Sequence, residues 1–137
     1  MIQSSPKAVL PVLLLLEPDG LVRGTVSAVC RDLGLAHVLQ VTSCPSALEA
    51  VRESRVQACM LSLADRQAAL ELLQRLRRGE LRCPPNTPVA ITASEFDAAM
   101  AQSLKELQVR RMLIKPFKIR DSIATIEALL PQVLMPA

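Results

Sequence analysis

The chain has 137 residues, half of them hydrophobic, a size and composition that suit one domain with a substantial core. Its formal net charge is +3, with 16 Lys and Arg against 13 Asp and Glu spread along the sequence. That balance is too mild and too scattered for the clustered basic face of a nucleic-acid binder. With Phe96 and Phe117 as the only aromatic residues, stacking platforms for bases are also missing and the core must be aliphatic.

The first predicted element is the apolar run "VLPVLLLLE", residues 9–17, which reads as a strand covered on both faces. Pro11 stands near its start, where a missing N–H is tolerated. Lys7 followed by this run resembles a secretory leader, but Glu17-Pro18-Asp19 stands where a small-residue cleavage site belongs, and the run falls short of the ~20 residues that span a membrane. In "DGLVRGTVSAVCRDLG" the residues Val22, Val26, Val29 and Leu33 recur at helical spacing, and Gly34 closes the helix. "HVLQVT" (37–42) is a short strand. "SCPSALEAVRES" reads as a helix, with Ser43 as its cap and Pro45 in the first turn.

"VQACMLSL" (56–63) is a third apolar strand. In "DRQAALELLQRLRRGE", Ala69, Leu72, Leu73 and Leu76 form one stripe, basic residues gather near the end and Gly79 follows. The proline-rich "LRCPPNTP" is a loop and "PVAITA" a fourth strand. "SEFDAAMAQSLKELQ" is assigned a helix capped by Ser94 that buries Phe96, Met100, Leu104 and Leu107. "VRRMLIK" reads as a fifth, buried strand. The last helix, "KIRDSIATIEALL", is expected to bury Ile119, Ile123, Ile126 and Leu130.

Strand and helix thus alternate five times without a linker or low-complexity stretch, which makes residues 1–137 one domain. The alternation calls for a parallel sheet with helices on both faces, and the flavodoxin-like strand order 2-1-3-4-5 is the natural one for five strands. The four cysteines, Cys30, Cys44, Cys59 and Cys83, have no metal-ligand spacing, and the single His37 cannot complete a usual zinc set. They read as reduced thiols in a cytoplasmic protein, Cys59 as inert packing.

In open α/β sheets, ligands bind in the crevice at the carboxyl ends of the strands. The first, third, fourth and fifth strands end on Glu17-Pro18, Ser62, Thr92 and Lys115-Pro116. With "EPDG" after the first strand, "TAS" at the end of the fourth, "KPF" after the fifth and these spacings, nearly the whole chain resembles the CheY-like receiver domains of two-component response regulators.

In that family an aspartate ending the third strand accepts a phosphoryl group from a histidine kinase. Two acidic residues after the first strand help hold Mg²⁺. The threonine and the lysine contact the phosphoryl group or the aspartate. The resemblance carries over in part. Thr92 and Lys115 are kept, and Glu17 stands at the first acidic position. Pro18 stands at the second and offers no side-chain ligand, while Ser62 occupies the phosphoacceptor position. Met112 replaces the aromatic residue that often reports the switch.

The resemblance therefore implies a degenerate receiver, or pseudo-receiver. It is expected to be no enzyme, to have no cofactor, and to bind Mg²⁺ weakly or not at all, with Glu17 as the residual ligand. A serine hydroxyl is a weak nucleophile unless a neighbouring base activates it, and no histidine sits at any strand end. Bland roles stand beside these: Lys115 pairing with Glu17, Thr92 bonding backbone, Ser62 filling space, and Asp65 and Asp19 capping helices.

The preferred reading is a module that acts by binding other signalling proteins, a histidine kinase or a downstream target. The alternative is a receiver phosphorylated at an atypical Asp, Asp65 or Asp19. A small α/β enzyme or nucleotide binder fits less well, because no glycine-rich phosphate loop follows the first strand. The family's usual contact and dimer face maps onto residues 95–130, with Lys105, Arg110, Arg111, Lys118 and Arg120 as its exposed members. No nucleic acid and no membrane is expected as a partner. Because the chain stops soon after the fifth helix, it reads as a stand-alone module or an excised domain.

Overall fold

The apolar runs become strands β1 (Val12–Leu16), β2 (His37–Val41), β3 (Ala58–Ser62), β4 (Val89–Ala93) and β5 (Arg111–Ile114) in the computed structural model, which describes residues 9–130. Between and after them come helices α1 (Gly20–Asp32), α2 (Cys44–Glu53), α3 (Arg66–Arg77), α4 (Ala98–Glu106) and α5 (Ile119–Leu129). All neighbouring strands are parallel, and the order is β2-β1-β3-β4-β5. This is the flavodoxin-like arrangement expected of the alternation.

Strand residues alternate between faces, so each central strand feeds two aliphatic layers. On one face Leu14, Leu16, Cys59, Leu61 and Ile91 pack under α2, α3 and α4. On the other, Leu13, Leu15, Met60 and Ala90 pack under α1 and α5. The leucine run that resembles a leader is thus a central strand buried on both sides; residues 1–8 before it lie outside the described residues. Among the described residues no helix is long and apolar enough to cross a membrane.

Four local expectations are corrected. β5 is an edge strand, paired only with β4, and Arg111, Met112 and Ile114 are exposed; it is not buried. Asp97, not Ser94, caps α4, its carboxylate accepting from the Met100 N–H at 2.7 Å. Phe96 precedes that helix and Leu107 ends it, both half-buried, while Met100 and Leu104 face the core. Cys30 takes the core place assigned to Leu33, which is exposed at the helix end. On α5 the buried residues are Ser122, Thr125, Ile126 and Leu129, whereas Ile119 is exposed. The hydroxyls of Ser122 and Thr125 bond back to the carbonyls of Ile119 and Asp121, so the helix buries them satisfied.

Arg77, at the end of α3, locks the amino end of the sheet. Its guanidinium donates to the carbonyls of Leu107 (2.7 Å), Pro85 (2.8 Å), Thr87 (2.7 Å) and Gln108 (3.3 Å). Burial lowers its pKa, and carbonyl dipoles do what a carboxylate would otherwise do. Gln108 is in the left-handed conformation (φ 58°), where glycine is usual after a helix.

Candidate functional site

The strand period decides which side chains meet. Glu17, Ser62 and Thr92 share the parity of Leu15, Met60 and Ala90, so they belong to the α1/α5 face at the carboxyl end of the sheet. Ser62 and Thr92 are register partners, and Thr92 pairs in turn with Leu113, two residues before Lys115. The Lys115 N–H donates to the Ala93 carbonyl at 2.8 Å, which holds the lysine against the end of β4. The Lys115–Pro116 peptide bond is cis.

Lys115 Nζ lies 2.5 Å from Glu17 Oε1 and 3.4 Å from Ser62 Oγ. The Glu17 side chain is 2% exposed and that of Lys115 21%. The second carboxylate oxygen, Oε2, accepts from the Asp19 N–H at 3.0 Å. Ser62 Oγ also accepts from the Ala64 N–H at 3.2 Å. Thr92 Oγ1 is buried with no hydrogen-bond partner, so the bland reading of a hydroxyl bonded to backbone does not hold for it. The crevice beside these groups is a cavity of about 290 Å³ that also takes in Arg66 and Glu95.

The other acidic residues have helix work. Asp19 caps α1, its Oδ1 accepting from the N–H groups of Leu21 (2.9 Å) and Val22 (3.1 Å). Asp65 caps α3 through the Ala68 N–H at 3.3 Å. Pro18 is exposed beside a small cavity shared with Ser62 and Asp65. His37 begins β2, at the opposite end of the sheet, and cannot serve Ser62 as a base.

These residues do not fit a divalent cation. Mg²⁺ takes oxygen ligands in near-octahedral geometry, commonly with one or two carboxylates. Both Glu17 oxygens are engaged, one by an ammonium, and Pro18 supplies no side-chain oxygen. Among the described residues no three of His, Cys, Asp and Glu come together in a metal-binding group.

Met112 is in register with Ile91 and so faces the α4 side of the sheet, half-exposed at the open edge. Sequence reasoning missed Arg66, which bridges to Asp97 at 3.6 Å across the helix ends above Ser62. An arginine opening a helix beside a strand end is the signal that was there to be read.

No family profile matches this sequence, and no curated protein matches it. Solved structures do. The chemotaxis protein CheY4 of Vibrio cholerae is 19% identical, with a TM-score of 0.78 over 89% of this chain and 100% of that one. The non-phosphorylated receiver domain of HemR from Leptospira biflexa is 18% identical, with a TM-score of 0.76 over 89% and 97%. A structure described as adenylate cyclase from Rhodopirellula baltica is 24% identical, with a TM-score of 0.73 over 88% and 87%. The chain therefore has the CheY-like receiver fold. At these identities the likeness defines architecture, and function has to be argued from the site.

Proposed function

We propose that this chain is a receiver-like signalling module of a two-component phosphorelay that takes no phosphoryl group at Ser62 and acts by protein–protein contact. One observation carries the reading: the Lys115 ammonium is already paired with Glu17, and the residue beside it at the end of β3 is a neutral serine. A receiver lysine answers an aspartate or its phosphate; here Glu17 takes that role. Ser62 has no base to raise its nucleophilicity, and Mg²⁺ has no adequate set of ligands. The module is no enzyme and works in the cytoplasm. Its partners are a histidine kinase, a downstream target or a second copy of the chain, met through residues 95–130. There Lys105, Arg110, Arg111, Lys118 and Arg120 are exposed beside Met112 and Ile114.

Intact-mass spectrometry after treatment with acetyl phosphate and Mg²⁺ tests this. The native chain is expected to gain no phosphoryl adduct. Asp65→Asn and Asp19→Asn serve as controls that keep the helix caps, because Asn caps as well as Asp. An adduct lost in either control would overturn the proposal in favour of phosphorylation at that aspartate. Ser62→Asp with Pro18→Asp restores two carboxylates beside Thr92 and Lys115 and is expected to gain an acid-labile adduct.

A further inference from the structure

A cavity of about 660 Å³ opens at the amino end of the sheet, a strand's length from the crevice. Gln57 lies one residue before β3, Pro88 one before β4 and Arg110 one before β5. The apolar part of the wall is the accessible surface of Pro84, Pro88 and Leu130, backed by the buried Val56, Cys83 and Leu129. Exposed around it stand Arg55, Arg82 and Arg110. Among the described residues no carboxylate lines the cavity, and none of these three arginines is in an ion pair.

Two of the guanidiniums are held in place. Arg110 Nη1 donates to the Ala128 carbonyl at 3.1 Å and Arg82 Nη1 to the Arg52 carbonyl at 3.3 Å. The loop that forms one wall is fixed as well. Arg77 grips the Pro85 and Thr87 carbonyls, and Thr87 bonds to Pro84 through both its hydroxyl (2.6 Å) and its N–H (3.0 Å). The cavity is thus built rather than incidental.

We propose that this cavity binds a small organic phosphate, its phosphate on the arginine rim and its apolar body on the inner wall. Three like charges around one concavity focus a positive potential, and guanidinium forks match phosphate oxygens in pairs. The volume lies within the range of small-molecule sites, about 300–1,000 Å³. The site is separate from the receiver crevice and goes beyond the signalling role proposed above.

Isothermal titration of the full chain with ATP, pyrophosphate and adenosine tests it. ATP is expected to bind saturably at one site, pyrophosphate at least about ten-fold more weakly because it leaves the wall bare, and adenosine not measurably. Arg55→Gln with Arg110→Gln is expected to weaken ATP binding ten-fold or more, and Arg82→Gln alone serves if the double variant is unstable. Arg31→Gln with Arg120→Gln removes the same charge elsewhere and is expected to leave binding unchanged. No saturable ATP binding, equal affinity for pyrophosphate, or an equal loss in the Arg31/Arg120 variant would overturn the proposal.

Discussion

With both oxygens of Glu17 engaged and its side chain out of water, Glu17 and Lys115 stand or fall together. Lys115→Met leaves a buried carboxylate without its cation, a loss of about 3 kcal/mol, at the lower end for broken buried pairs because Lys115 still reaches solvent. Glu17→Gln with Lys115→Met removes both charges and is expected to cost clearly less than the two single changes added together. Urea denaturation of the four proteins reads this coupling. A second expectation concerns the thiols. Burial raises Cys30 to about 11, and burial, with Cys83 adding to it, raises Cys59 as well. In the unfolded chain a thiol ionises near about 8.5. Above that pH the unfolded state has lost protons that the native state retains. The stabilisation is therefore full below about pH 8.5 and declines as pH rises through about 11. The urea midpoint is expected to fall over this window, and less steeply in Cys30→Ala. Of the site, the strand-end positions were legible because period two forces them onto one face. The orphaned Thr92 hydroxyl was not, because it depends on the absence of a neighbour that no spacing encodes.

Helix starts show where local sequence is ambiguous. Ser94 and Asp97 are both good capping residues, three positions apart, and "SEFD" alone does not choose between them. The structure chooses Asp97, whose carboxylate also meets Arg66. Asp97→Ala is expected to destabilise the protein by about 1 kcal/mol and Ser94→Ala by only a few tenths, as read by thermal or urea unfolding. The β5 reading went astray for a related reason. "MLI" is as apolar as any central strand, but burial of a strand depends on what lies beyond it, and β5 has nothing on its outer side among the described residues. On α5, Ser122 and Thr125 broke the apolar pattern because their hydroxyls are satisfied by the helix's own carbonyls. An apolar count cannot anticipate that.

At the scale of the molecule, the alternation of apolar runs and amphipathic stripes was enough to order the strands, because parallel connections leave few choices. The central strands carry the stability. Leu14 is 1% exposed between Leu39 of β2 and Cys59 of β3. Leu14→Asp places an unpaired carboxylate there at a cost of several kcal/mol, comparable with the whole stability of a domain of this size, about 5–15 kcal/mol. The variant is expected to show no cooperative unfolding transition by circular dichroism. The Arg77 clasp reaches further than the amino-end loops it fastens. It ties the last turn of α3 to the residues that join α4 to β5, so the proposed contact face is anchored from behind. A partner docking on that proposed face would meet an α4–β5 junction already held in place. Less ordering entropy would then be lost on association, and selectivity between partners would rest on fit more than on remodelling.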